Sequence, residues 1–156
     1  MQHRYKLIIT VFFIFSIFIW GCPDNGTAEE RVAWQNYETG IEKVEKNGKK
    51  GFLHFYTDWC TYCKLMVKKT FSDAKVRRYL NNHFVPMRVN AEEKKDVAKQ
   101  YGVSRFPSTW FLSEEAENIG NRPGFIPPDL MLSMLKYINS DSYKEMKFQQ
   151  YMDNQQ

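Results

Sequence analysis

Apolar residues recur at helical spacing in some stretches of the chain and at strand-like density in others. Trp34, Tyr37, Ile41 and Val44 follow one another at intervals of 3, 4 and 3 residues, which puts them on one face of a helix that stops near Asn47-Gly48. Gly51 to Thr57 is a short, largely apolar run behind a turn signal and predicts a central buried strand. A helix beginning near Cys60 carries Cys63, Met66 and Val67, with Lys68 and Lys69 at the end where the helix dipole favours cations. After Phe71-Ser72-Asp73 a second helical pattern aligns Val76, Tyr79 and Leu80. Phe84 to Val89 reads as the next strand, and Pro86 within it needs a position where the ladder requires no donor.

Asn90 followed by Glu93 has the form of a capping box and predicts a helix running through Val97 and Tyr101 until Gly102 ends it. Ser108 to Leu112 is strand-like, Ser113 to Asn118 is a turn, and Ile119 to Phe125 is a weaker strand. Pro127-Pro128-Asp129 announces the last helix, whose Met131, Met134, Leu135 and Ile138 stand at i, i+3, i+4 and i+7. The order is α-β-α-β-α-β-β-α, an α/β domain over residues 31–139. From Ser140 the chain turns polar and Gln-rich without periodicity, so 140–156 is expected to be a frayed or disordered tail.

The N-terminus carries a different pattern. His3, Arg4 and Lys6 form a basic start, and Leu7 to Trp20 is apolar except for Thr10 and Ser16. Such a run is short for crossing ~30 Å of hydrocarbon but suits the core of a signal peptide. Its end, Ile19-Trp20-Gly21-Cys22, resembles the lipobox of bacterial lipoproteins: Ile19 and Gly21 match, while Trp20 departs from the usual small residue. Residues 1–21 are then a lipoprotein-type signal peptide, Cys22 is the site of lipid attachment and 22–30 is a linker from the anchor. An uncleaved signal anchor is the alternative. Both tether the domain to a bacterial membrane on its extracytoplasmic, periplasmic side.

Composition narrows the function classes. At 156 residues the chain is one domain plus appendages, large enough to bury about two-thirds of the surface its unfolded form exposes without a disulfide scaffold. The formal charge is +4, but Arg4 and Lys6 precede Cys22 and no acid does, which leaves +2 for the rest. That balance argues against a nucleic-acid partner. Lys49-Lys50, Lys68-Lys69 and Arg77-Arg78 are interrupted basic pairs and read as solvated faces. No Gly-rich phosphate loop or dinucleotide fingerprint occurs, so no cofactor is implied.

The chemistry concentrates in Asp58-Trp59-Cys60-Thr61-Tyr62-Cys63-Lys64. Two thiols separated by two residues at a strand-to-helix junction can close a disulfide with each other, and the helix start lowers the pKa of the first. Half of a zinc site is the competing reading. Structural zinc wants four ligands, whereas no second CxxC exists, and His54 and His83 fall on separate elements. A purely structural staple would constrain little, because the loop it closes is so short.

Placed after the first central strand of this element order, the Trp59 to Lys64 segment resembles that of the thioredoxin family. Tyr101-Gly102-Val103-Ser104-Arg105-Phe106-Pro107-Ser108 aligns without gaps to the family segment leading into its cis-proline, which places that proline at Pro107. Gly124, in Arg122-Pro123-Gly124-Phe125, matches a glycine the family keeps before its final helix. The resemblance covers roughly Ala33 to Asn139. Within the family, Asp58-Trp59-Cys60 followed by Thr70-Phe71-Ser72-Asp73 looks most like the extracytoplasmic thioredoxin-like domains of disulfide-interchange proteins.

That resemblance implies a thioredoxin fold, a central mixed β-sheet flanked by helices, and a thiol:disulfide oxidoreductase with a Cys60–Cys63 redox disulfide. Cys60 would attack from an exposed position, and the more buried Cys63 would resolve the mixed disulfide. Trp59 would shield the disulfide beside the substrate. Pro107, if cis, would bring backbone close to the thiols without presenting a donor, and Phe106 would pair with a substrate backbone as an added strand.

His54 occupies the strand position where thioredoxins usually carry a buried acid that acts on the second cysteine. Two readings stand: a proton relay with pKa near ~6.5 whose cationic form favours thiolates, or a neutral core histidine satisfied by one hydrogen bond. The implied partners are protein disulfides or dithiols and a membrane electron donor or acceptor, with reduction as the expected direction. A binding or chaperone module that does not turn over its CxxC is the alternative.

Overall fold

The computed structural model describes residues 31–155. The signal peptide expected at 1–21, Cys22 and the linker of 22–30 lie outside these residues. Helix α1 (Tyr37–Asn47) leads into strand β1 (Lys50–Tyr56), followed by α2 (Thr61–Lys69), α3 (Ala74–His83), β2 (Phe84–Asn90), α4 (Lys95–Gln100), β3 (Ser108–Leu112), β4 (Asn118–Pro123) and α5 (Pro128–Asn139). A 3-10 turn (Ser142–Lys144) and α6 (Phe148–Asp153) close the chain. Among the described residues no helix is long and apolar enough to cross a membrane.

The sheet order is β2-β1-β3-β4. β1 and β2 are parallel, joined by the α2–α3 crossover, and the β1–β3 and β3–β4 pairs are antiparallel. Side chains of β1 alternate between two cores, as strand geometry requires. Phe52 packs with Met66, Phe71, Val76, Leu80, Met131, Leu135 and Ile138 on the face covered by α2, α3 and α5. Leu53 and Phe55 pack with Val44, Val85, Met87, Val89 and Ala98 on the face covered by α1 and α4. Full burial of each such side chain stabilises the fold by about 1.5–3 kcal/mol. Pro86 sits on edge strand β2, where its carbonyl accepts from Gln35 N–H outside the sheet at 2.8 Å. Its missing donor faces that outer edge and no ladder bond is lost.

Several expectations change. Trp34 does not join α1, because Asn36 caps that helix by accepting Thr39 N–H at 2.9 Å. Trp34 instead lies in an extended segment whose Gln35 bridges to Met87, and its ring packs edge-on to Phe71 at 4.9 Å on the opposite side of the sheet from Ile41. Asn90 does not open α4 either. Its Oδ1 accepts Glu92 N–H at 3.0 Å in a turn over 91–93, and the helix starts at Lys95. Lys50 is not solvated: it is 4% exposed, with Nζ 2.6 Å from Glu114 and 3.1 Å from Asp141. The weaker strand runs over Asn118–Pro123, ending two residues sooner.

The C-terminal stretch folds back on the domain where a frayed tail was expected. Tyr137 packs against Phe148 at 5.3 Å and Tyr151 at 5.2 Å, and its hydroxyl donates to the Met146 carbonyl. Tyr137 stands on α5 and Phe148 and Tyr151 on α6, so no single helical run contains all three.

Candidate active site

β1 is a central strand that delivers the chain to one end of the sheet, and Thr57-Asp58-Trp59 turn it into α2. Cys60 N–H donates to the Thr57 carbonyl at 3.3 Å, and Cys60 is the N-cap of α2. Its Sγ accepts the Cys63 N–H at 3.1 Å, where a cap hydroxyl or carboxylate oxygen usually sits. A thiolate on Cys60 would therefore meet an amide hydrogen and the positive end of the helix dipole. Cys60 and Cys63 are joined as a disulfide, with Cα atoms 5.2 Å apart. Exposure does not separate them as expected, since they are 5% and 2% exposed in this closed form. The asymmetry lies in the cap bond to Cys60.

Around the pair stand the residues singled out by their sequence. Trp59 is 67% exposed, meets Phe106 edge-on at 6.2 Å and donates its indole N–H to Glu92 at 3.0 Å. The β2–α4 turn thus holds the loop before the cysteines, and a second bond from Asn90 Nδ2 to Asp58 at 3.3 Å joins the same two segments. The Phe106-Pro107 peptide is cis. Pro107 is buried and its carbonyl accepts the Gly124 N–H at 2.7 Å. Gly124 holds φ +89°, a conformation that L side chains rarely adopt. Among the described residues, no backbone hydrogen bond engages Phe106, which leaves its N–H and C=O available to an extended chain.

His54 stands on β1, the strand that leads to the pair, and is fully buried. Its ring meets Phe71 edge-on at 4.9 Å and Trp34 at 6.2 Å. Burial, helped by the Arg88 charge, pushes its pKa down to about 3. The expected cation is therefore a neutral imidazole at physiological pH. The expected single hydrogen bond is missing too, for neither ring nitrogen has a partner among the described residues.

Beside Cys63 opens a cavity of about 290 Å³ lined by Tyr56, Thr57, Asp58, Cys63, Lys64, Val67 and Arg88. Arg88 pairs with His54 in the β1–β2 register, and its guanidinium carbon lies 3.9 Å from the Tyr56 ring centroid. Sequence reading passed over Arg88. The signal was present as the lone charge in the Phe84–Val89 run, because an arginine inside a buried strand is seldom there without a task. Glu92 had no such signal, since its contact with Trp59 depends on how two loops meet. Among the described residues no group of three or more His, Cys, Asp or Glu could hold a metal ion.

The sequence profile of the thioredoxin-like domain matches residues 37–139. The chain belongs to the thioredoxin-like family. Its mixed four-stranded sheet with helices on both faces is the thioredoxin fold, and a thioredoxin from Thermus thermophilus superposes with a TM-score of 0.62 at 26% identity, over 67% of this chain and 85% of that one. A thiol:disulfide interchange protein DsbD of Haemophilus influenzae (strain PittEE) is 33% identical over 92 residues, 56% of this chain. An uncharacterized protein of Caenorhabditis elegans is 29% identical over 119 residues, 70% of this chain. The chain spans 16% of the length of each of these two relatives. In this thioredoxin-like domain the Cys60–Cys63 disulfide, the helix start and the cis-proline loop form one site suited to thiol–disulfide exchange.

Proposed function

We propose that this chain is an extracytoplasmic, membrane-tethered thiol:disulfide oxidoreductase that reduces disulfides in protein substrates. The observation that carries the reading is the Cys60–Cys63 disulfide at the N-terminus of α2, with Trp59 in contact with Phe106 of the cis-proline loop. The tether rests on Leu7 to Trp20 and the Gly21-Cys22 that follows. The relatives named for thiol:disulfide interchange support the same chemistry.

In the reduced chain, Cys60 thiolate attacks one sulfur of a substrate disulfide held along the free backbone of Phe106. The substrate S–S bond breaks, a Cys60–substrate disulfide forms, and the departing substrate thiolate takes a proton from solvent. Cys63 then loses its proton and attacks Cys60 Sγ. The mixed disulfide breaks, the second substrate thiolate leaves, and the Cys60–Cys63 disulfide remains. Two electrons pass to the substrate, so each turnover requires a dithiol donor, for which a membrane protein is the natural source.

Insulin-disulfide reduction by the full chain, with dithiothreitol as donor, tests the reading. Cys60→Ser should abolish catalysis above the dithiothreitol background, and Cys63→Ser should accumulate the mixed disulfide. A Cys60→Ser protein as active as its parent would return the binding-module reading. Direction is tested by equilibration with glutathione: a reduction potential near the ~−270 mV of thioredoxin supports a reductase, and one near the ~−120 mV of DsbA refutes it. Tethering is tested by fractionation, where recovery of the full chain in the soluble fraction refutes it; a lipoprotein should also incorporate labelled fatty acid, and Cys22→Ala should abolish that label.

A further inference from the structure

The exchange reaction proposed above needs Cys63 to become a thiolate, and the buried histidine of β1 offers little help. His54 does not line the cavity beside Cys63, is sealed by Trp34 and Phe71 and stays neutral over the working pH range. Arg88 is placed differently. It is partly buried, it lines the cavity together with Cys63, and among the described residues it forms no ion pair. Its Nε is buried without a hydrogen-bond partner. The Tyr56 ring beneath the guanidinium, 3.9 Å away, holds it in place without neutralising it.

The geometry points to Arg88 as the residue that sets the ionisation of Cys63: a fixed cation that stabilises the resolving thiolate, while the proton leaves through the adjoining cavity to solvent. This inference rests on the exchange reading of the site. Every charged or titratable group facing the cavity can be named. Lys64 on α2 adds a second cation, Asp58 in the preceding loop adds one carboxylate, and Tyr56 on β1 and Arg88 on β2 complete the wall. Asp58 is exposed to solvent and accepts a hydrogen bond from Asn90, so water screens its charge more than that of Arg88. An arginine cannot accept the proton. Its effect is on the stability of the thiolate, not on the route the proton takes.

A cation facing a thiol across a shared cavity lowers the thiol's pKa, by about 1 unit where the two charges stand ~4–6 Å apart. Loss of that cation would cut the thiolate fraction about tenfold at neutral pH. Higher basicity partly restores nucleophilicity, with a Brønsted slope of about 0.4–0.5, so the net slowing is roughly three- to fourfold. Above the thiol pKa the order reverses, because both proteins are then fully ionised and the more basic sulfur attacks faster. A role in folding alone would not produce that crossing.

The test uses the reduced full chain and Ellman's disulfide, which releases one thionitrobenzoate when Cys60 attacks and a second when Cys63 resolves. Arg88→Met should slow the second release about three- to fourfold at neutral pH, shift its pH profile alkaline by about one unit and leave the first release nearly unchanged. Arg88→Lys should restore the parental profile, and Arg88→Gln reports the same loss of charge if the methionine protein does not fold. An unchanged pH profile for the second release overturns the inference and leaves the exchange reading intact. Absence of any second release from the parent protein overturns the exchange reading, and this inference with it.

Discussion

His54→Leu should make the protein more resistant to acid. His54 is fully buried between aromatic rings, and its two ring nitrogens have no partner among the described residues. Its pKa falls from the ordinary 6.5 to about 3 in the fold. The folded value lies below the unfolded one, so between these limits the unfolded chain holds a proton that the folded chain refuses. Stability is therefore fully present above pH ~6.5 and drains as pH falls toward about 3, at a limiting rate of about 1.4 kcal/mol per unit. Integrated from pH 7 to pH 5, the loss from this one group is about 2 kcal/mol.

Leucine carries no proton and removes a buried N–H whose missing partner costs about 1–3 kcal/mol. The variant should match or exceed its parent at neutral pH and gain a further ~2 kcal/mol on it by pH 5. Urea unfolding of the oxidised proteins, followed by circular dichroism across that range, measures the difference. His3, His83 and the carboxylates are common to both proteins and cancel. Parallel stability curves would refute the argument, for they would mean that His54 is hydrogen-bonded and titrates normally.

Two further outcomes follow from packing and charge. Gly40→Ala should cost about 1–3 kcal/mol, read from the urea midpoint, because a Cβ on that face of α1 would overlap Cγ and Sδ of the fully buried Met87. Lys50→Met should cost roughly 2 kcal/mol, below the full penalty for breaking a buried pair because Glu114 and Asp141 remain partly solvated. It should also speed proteolysis within 141–155, since Asp141 links Lys50 to that segment.

What could be read from the sequence divides by the range of the interaction. Cys60 was legible because a CxxC at a strand-to-helix junction is a local fact, whereas the cis-proline at Pro107 and the positive φ of Gly124 were legible only through the family resemblance. The two-faced burial of β1 was legible as a continuous apolar run. Trp34 was misassigned because i, i+3 spacing also arises by chance across a helix boundary, and only the Asn36 cap marks that boundary. Lys50 was misread because its partners lie 64 and 91 residues further along the chain. The state of His54 was illegible for the same reason. Whether a histidine titrates depends on what seals it, here Trp34 and Phe71 from separate elements.

The sealing of His54 also changes how the site must work. A buried acid at that position can accept a proton, but in its ionised form it opposes a nearby thiolate and cancels a neighbouring cation. A neutral imidazole does neither. Arg88, opposite it in the strand register, then keeps its full charge facing the Cys63 cavity, and α2 contributes partial positive charge at Cys60. Both contributions favour thiolates over a neutral disulfide, so they stabilise the reduced chain and make it a milder reductant than an acid-bearing site. In the extracytoplasmic setting proposed above that shift is tolerable, because substrate disulfides there need only a donor more reducing than their surroundings. The cation and the buried histidine are thus one device: exchanging His54 for an acid should raise the Cys63 pKa by neutralising Arg88, even with Arg88 still in place.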